Sequence, residues 1–180
     1  YTTGVATSAL WKSGFKKMTI YERNSARFNL QEYFSSDSGR ILNESGVVAS
    51  AIDPVLAVRA DKFKYDCVFF EPQLFTFSGG WEMMTPKFFR DTAERTADDG
   101  MVILPITGLS ELSFAELIGN FRAAFAEVHV FYYRLGTLLI GFKRQGVMLD
   151  IVEVDKVLQT HSEYLNEQNV FTAYDVVSGF

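Results

Sequence analysis

The chain is poor in the residues that mark several functional classes. It has one Cys, four Pro, two His and two Trp in 180 residues. A lone Cys67 can form neither an internal disulfide nor a multi-thiolate metal site, which excludes structural zinc and points to a reducing compartment, the cytoplasm. The two histidines, His129 and His161, read as a strand residue and a surface helix residue, so neither a Ser-His-Asp arrangement nor a metal pairing is supported. No apolar run approaches the roughly 18 residues a membrane span requires. The nearest, residues 138–142, is short and interrupted by Gly141. A basic excess is missing as well. The 17 Lys plus Arg against 22 Asp plus Glu give a net charge of −5, the wrong sign for a partner made of nucleic acid. Tyr1-Thr2-Thr3-Gly4 has neither an initiator Met nor the basic-then-apolar pattern of a signal peptide. Internal repeats, low-complexity tracts and long linkers are also absent.

What is present in excess is aromatic. The 17 Phe, 8 Tyr and 2 Trp amount to 15% of the chain, which calls for a tightly packed interior or for an apolar surface covered by something else. At 48% apolar and 22% charged, the rest is ordinary globular composition. The length fits one core.

Periodicity gives an order of elements. Residues 5–12 read as a short helix ended by Ser13-Gly14, and residues 18–22 (MTIYE) as a buried strand. Residues 26–34 predict a second helix with Phe28, Leu30, Tyr33 and Phe34 on its apolar side, closed by the polar stretch 35–40. Residues 46–52 are a β-branched strand ended by Asp53-Pro54, where Asp suits an N-cap and Pro a first helical turn, leading into a helix over 55–60. Residues 66–71 (DCVFFE) are a continuous apolar run expected near the centre of a parallel sheet. An aromatic loop over 73–84 follows, then a helix over 85–97, a turn at Asp98-Asp99-Gly100 and a strand over 101–106. A helix over 113–125, a hairpin of strands 128–134 and 137–143, a polar helix over 153–168 and an irregular tail complete the chain. Strands alternating with helices and finishing in a hairpin describe an α/β fold: a Rossmann-like open sheet with helices on both faces and an antiparallel C-terminal edge. Residues 1–145 form this domain, and 146–180 a C-terminal helix and tail.

In such sheets ligands bind beyond the carboxyl ends of the strands. Three acids fall there. Glu22 follows Gly4 by 18 residues, near the spacing of roughly 20 at which a carboxylate accepts hydrogen bonds from ribose hydroxyls. Asp53 ends the next strand and Glu71 the one after it. Carboxylates so placed suit a nucleoside-like or cationic ligand, since both offer donors. Each also has a structural reading: Glu22 as a solvated strand-end acid, Asp53 as a helix cap, Glu71 as a turn residue before Pro72. Cys67 reads as core, Tyr132, Tyr133 and Arg134 as edge-strand residues at a possible pocket mouth, and Lys12, Lys16 and Lys17 as a solvated basic loop.

These segments resemble a family. Gly4-Val5-Ala6-Thr7 and Lys17-Met18-Thr19-Ile20-Tyr21-Glu22-Arg23-Asn24 are similar to the first two motifs of spermidine and spermine synthases, GTGxT and VTxxEID. Lys64-Tyr65-Asp66-Cys67-Val68-Phe69-Phe70-Glu71 resembles KYDVIIxD, and Met84-Thr85-Pro86-Lys87-Phe88-Phe89 resembles LYTKEFY. Asp98-Asp99-Gly100-Met101-Val102 resembles KPGGxxV, and residues 121–128 resemble the helix that enters the final hairpin. The resemblance runs from residue 1 to about 143 and implies a class I S-adenosylmethionine-type fold. It further implies a co-substrate, S-adenosylmethionine or its decarboxylated form, with Gly4 in the loop beneath it, Glu22 on the ribose and Asp53 near the adenine. Glu71 would be the catalytic base or cation holder, and a small-molecule amine the acceptor of an aminopropyl or methyl group. Thr2 stands where the family usually has glycine, and Phe75, Phe77 and Trp81 make the loop more aromatic than acidic. These departures motivate a second reading, a non-catalytic Rossmann-like interaction module with a degenerate nucleoside site. In this fold a strand precedes the glycine loop, so the expectation is a fragment whose first strand is missing. The sheet would then have a vacancy between the strands at Met18 and Asp66, or would be closed by their pairing. An upstream domain or a homodimer is left open.

Overall fold

The computed structural model describes residues 1, 3–70, 80–133 and 136–160. By its internal contacts the chain divides into two compact units, Tyr1–Phe63 and Lys64–Phe180.

The first unit begins with Tyr1 buried and Gly4 turning the chain at a φ of 82°, a left-handed conformation that residues with a Cβ rarely adopt. A Cβ at Gly4 would also fall 2.7 Å from the Tyr1 hydroxyl, so glycine makes room for the ring. Helix α1 (Val5–Lys12) follows, and Ser13 and Gly14 end it as expected, with the Ser13 N–H donating to the Ala9 carbonyl at 2.9 Å. Strand β1 (Met18–Tyr21) runs parallel to β2 (Val47–Ser50), Met18 opposite Val47 and Tyr21 opposite Ser50. Between them lies a correction. Residues 25–32 form a 3-10 helix, with the Asn24 side chain accepting from the Ala26 N–H, in place of the expected second α-helix. The reason is visible in the sequence: three and four residues after Phe28 stand Gln31 and Glu32, so no apolar stripe of helical period continues. Gln31 is instead buried and accepts the Leu42 N–H at 2.6 Å, while Tyr33, expected on the apolar side, is 83% exposed. The polar stretch holds a single turn, α2 (Ser35–Ser38). Asp53 and Pro54 open α3 (Pro54–Ala60) as expected. Tyr1, Ile20 and Ile41 form this unit's core, with Trp11, Phe28, Leu42 and Val47 packed around it.

The second unit carries β3 (Tyr65–Phe69), α4 (Pro86–Arg95), β4 (Thr96–Ile106), α5 (Glu111–Arg122), β5 (Glu127–Tyr133), β6 (Gly136–Phe142) and α6 (Ile151–Thr160). Its four strands lie in the order β3-β4-β6-β5, with β3 parallel to β4 and the other two pairs antiparallel. The C-terminal hairpin therefore forms as read from the sequence. Strand β3 does not sit at the centre of its ladder: among the described residues it lies at one end of the four-stranded order and pairs there with β4. The expected turn at Asp98-Asp99-Gly100 lies inside β4, which begins at Thr96 directly after α4 ends at Arg95, and it forms an irregularity there: the register against β3 jumps from Tyr65–Thr96 to Cys67–Met101, so residues 97–100 stand outside the ladder. Gly100 lets the chain rejoin the ladder, because a Cβ there would stand 2.9 Å from the Tyr65 and Asp66 carbonyls, an approach of backbone to backbone that only glycine allows. Lys143 and Arg144 pair with the exposed Asp98 and Asp99 at 2.7 Å each. Helix α5 starts two residues earlier than expected, where Ser110 caps the Ser113 N–H, and it stops at Arg122. Helix α6 covers Ile151–Thr160, and the rest of the expected 153–168 helix lies outside the described residues.

The aromatic excess settles in this unit. Phe70, Phe88, Phe89, Phe121 and Phe125 form a run of ring contacts with centroids 4.6–6.2 Å apart, tilted or edge-on as aromatic quadrupoles prefer. Phe88, Phe89, Phe121, Val102, Leu104 and Leu139 have no exposed surface. Residues 3–17 hold a helix and no strand, and the strands at Met18 and Asp66 belong to separate ladders, so of the two arrangements expected for them, a vacancy or direct pairing, the pairing is not formed among the described residues. No described helix is long and apolar enough to cross a membrane.

Candidate functional site

Parallel pairing of β1 with β2 fixes where the first two acids stand. Tyr21 lies opposite Ser50 at the carboxyl end of both strands, and the Glu22 N–H continues the ladder by donating to the Ser50 carbonyl at 3.1 Å. Glu22 and Asp53 are thus held at the same end of neighbouring strands, the end at which α/β sheets take ligands. Gly4 belongs to the same unit, at the start of α1, and Tyr1 links it to Glu22. The Tyr1 ring packs against Gly4 and lies 5.6 Å from that of Phe28, and its main-chain nitrogen is 3.3 Å from Glu22 Oε2.

Both acids are engaged. Glu22 is 5% exposed. Its Oε1 accepts the Asn24 N–H at 2.7 Å, and its Oε2 accepts from Arg27 at 3.1 Å as well as from the Tyr1 nitrogen. It is therefore no solvated surface acid. Asp53 Oδ1 caps α3 through the Val55 N–H at 2.8 Å, while its Oδ2 pairs with the Arg23 guanidinium at 2.5 Å. Capping accounts for one oxygen of Asp53, and the other faces a cation. The arginines were not singled out from the sequence, although Glu22-Arg23 and Arg27 stand in plain view after the strand. The signal was their position: side chains two and six residues beyond a strand end can turn back over it. Next door, the Tyr21 hydroxyl donates to Asp61 at 2.7 Å and ties the end of β1 to the end of α3.

Glu71, together with Thr2, Phe75, Phe77, Arg134 and His161, lies outside the described residues. Trp81 is described and is 62% exposed, at the start of a 3-10 turn over Trp81–Met84. Cys67 sits in β3, half-buried, and burial first, with Asp66 beside it, pushes its thiol up to about 11, which makes it unreactive at neutral pH. His129 is a strand residue as expected; its Nε2 is 2.6 Å from Glu127 Oε1, and its ring meets those of Phe131 and Phe142 edge-on. Tyr132 is exposed on β5. Of the basic loop, Lys16 lies over the Trp11 ring at 4.5 Å and donates to the Trp11 carbonyl. A shallow cavity of about 230 Å³ opens at the carboxyl end of β4, lined by Ile106, Thr107, Leu109, Glu111, Phe114 and Thr137. Among the described residues no group of three His, Cys, Asp or Glu could hold a metal ion.

No family model and no curated protein matches the chain. Solved structures do. Human methyltransferase-like protein 13 in complex with SAH superposes with a TM-score of 0.68 at 12% identity, over 92% of this chain and 79% of that one. A spermidine synthase in complex with the transition-state analogue AdoDATO gives 0.70 at 12% identity, and the spermidine synthase of Thermotoga maritima gives 0.69 at 13%. Each of these two is matched over 87% of this chain, which spans 57% of their length. Likeness at such identities establishes architecture: the chain has the Rossmann-like fold shared by S-adenosylmethionine-dependent methyltransferases and spermidine synthases.

Proposed function

We propose that this chain is the nucleoside-binding portion of a transferase that uses S-adenosylmethionine or its decarboxylated form to alkylate an amine. The observation that carries the reading is the juxtaposition of Glu22 and Asp53 at the carboxyl ends of two adjacent parallel strands, with Gly4 at the head of α1 in the same unit. Glu22 would accept from the ribose hydroxyls, Asp53 would lie near the adenine, and the backbone at Gly4 would pass close beneath the ligand. That the structural relatives include complexes with SAH and AdoDATO supports a ligand of this class.

The chemistry asks little of the protein beyond placement. An amine nitrogen attacks the carbon next to a sulfonium, the new N–C bond forms as the C–S bond breaks, and the electron pair goes to sulfur, which leaves as a neutral thioether. An ammonium has no lone pair, so a carboxylate must take a proton from the amine, the role given to Glu71 by the resemblance. Orientation supplies much of the rest, and an error of about 1 Å can cost on the order of 100-fold. Aminopropyl and methyl transfer differ only in the carbon attacked.

Titration calorimetry with S-adenosylmethionine, its decarboxylated form and S-adenosylhomocysteine tests the reading. Binding of at least one, weakened at least about tenfold in Glu22→Ala by loss of hydrogen bonds to a charged group, is the expected result. No binding of any of them would sink it. A second reading, a non-catalytic interaction module, is favoured by one observation: both acids already hold arginine partners. The same titration separates the two.

A further inference from the structure

The hydrogen-bond capacity of Glu22 is nearly filled. A carboxylate offers about four lone-pair positions. Among the described residues three donors take them: the Asn24 N–H on Oε1, and Arg27 with the Tyr1 nitrogen on Oε2. A vicinal diol that reads a carboxylate donates two hydrogen bonds, so one donor must leave before it can bind. Two of the three are main-chain groups. The Asn24 N–H is fixed where Asn24 caps the 3-10 helix, and the Tyr1 nitrogen is fixed by a ring buried against Gly4 and Phe28. The third is a long side chain, 30% exposed, from the middle of that 3-10 helix. It alone of the three belongs to a side chain, so it can leave Oε2 without moving the backbone.

We infer that Arg27 is a specificity-determining residue that competes with the ribose for Glu22, so that a ligand enters by exchanging its own hydroxyls for the guanidinium. This rests on the nucleoside reading above. Arg27 thereby sets a threshold. A ligand with both ribose hydroxyls gives up the guanidinium's hydrogen bond and returns two of its own. One with a single hydroxyl takes the fourth position beside the guanidinium and has nothing to displace.

The experiment titrates the full chain, as wild type, Arg27→Met and Arg27→Lys, with S-adenosylhomocysteine and with its 2′-deoxy analogue, after circular dichroism has shown which variants fold. Arg27→Met keeps the length and removes the competitor, and is expected to bind S-adenosylhomocysteine about tenfold tighter, the factor set by one charge-assisted hydrogen bond. For the 2′-deoxy analogue the gain should be smaller. Arg27→Lys, a more strongly hydrated point donor, should fall between, and it carries the test alone if the Met variant does not fold. Unchanged or weaker binding in a folded variant overturns the inference while leaving the nucleoside reading intact, provided the wild type binds. An equal gain for both ligands overturns it too, since the hydroxyls would then play no part. Failure of both variants to fold makes Arg27 a structural tie and overturns it as well. No binding by any of the three proteins overturns both the inference and the reading beneath it.

Discussion

The two compact units are built on different principles. Residues 1–63 have a small apolar core, Tyr1, Ile20 and Ile41, and they bury polar groups beside it: Glu22 at 5% and Gln31 at 6% exposure, each with hydrogen-bond partners. Residues 64–180 bury a run of phenylalanine rings under a four-stranded sheet and keep their ion pairs at the rim, where Asp98, Asp99 and Glu127 meet Lys143, Arg144 and His129. Buried polar groups cost free energy unless every donor and acceptor is matched, and in the second unit those among the described residues are three threonines, Thr92, Thr96 and Thr137. The first unit, which buries a charge, therefore has less to spare; the second is a scaffold of packed rings.

The most direct way to break this contrast is to cut into the scaffold. Phe121 has no exposed surface and stands between Phe89, 5.1 Å away edge-on, and Phe125, 4.6 Å away. Phe121→Ala should cost about 3–5 kcal/mol. Each unit contains one tryptophan, Trp11 and Trp81, so urea unfolding followed in Trp11→Phe and Trp81→Phe backgrounds reports on each separately. If Phe121→Ala lowers the Trp81 midpoint alone, the units unfold independently. Coincident shifts would make them one cooperative block.

A smaller perturbation sharpens the contrast at two glycines. A Cβ on Gly46 would run into the Lys16 carbonyl, whereas one on Gly141 would meet the rings of Phe125 and Phe121 at 2.6–2.8 Å. Overpacking costs about 1–3 kcal/mol. Rings can tilt away and a backbone carbonyl cannot, so Gly46→Ala should fall at the top of that range and Gly141→Ala at the bottom. The reverse order would show the phenylalanine core to be the more rigid partner.

The same contrast explains what could be read from the sequence. Elements marked by local chemistry were legible: Asp53-Pro54 opening α3, Ser13-Gly14 closing α1, the hairpin of β5 and β6. So was the placing of Glu22 and Asp53 at strand ends, since a strand end is a local event. Tertiary decisions were not. A glycine after two aspartates reads as a turn, but that the chain bulges there inside one strand, against the Tyr65 and Asp66 carbonyls, depends on residues far off in the sequence. The 3-10 helix at residues 25–32 owes its form in part to Gln31 reaching the Leu42 N–H eleven residues away. The arginines on Glu22 and Asp53 were legible as positions after a strand end but not as partners, because pairing depends on where a loop folds back.

Thr92 gives a test of about 1 kcal/mol. It lies fully buried in α4, and its hydroxyl has no hydrogen-bond partner among the described residues. If the second unit is apolar by principle, this oxygen is a defect there, and Thr92→Val, which keeps the shape and removes it, should raise stability by about 1 kcal/mol. A loss of similar size in the same urea experiment would mean that the hydroxyl is satisfied in solution, and that this core tolerates polar groups as the first unit does.

The smallest effect lies at the rim. Glu127 Oε1 is 2.6 Å from His129 Nε2, and its Oε2 accepts the Val147 and Gly146 N–H groups at 3.2 and 2.5 Å, tying β5 to the chain after β6. The hydrogen bond with His129, and after it those from the two amides, hold the carboxyl below its ordinary value of 4.5. A folded-state value lower than the unfolded one contributes stability that is present above the unfolded value and lost as pH falls through the folded one. Comparing wild type with Glu127→Gln, the gap in urea midpoint should therefore be open at neutral pH and close as pH drops below 4.5. High salt should narrow it, because the carboxylate is solvent-accessible and screened. A gap that stayed constant through the acid range would show the glutamate acting through its shape, and would move this rim contact into the class of the packed core.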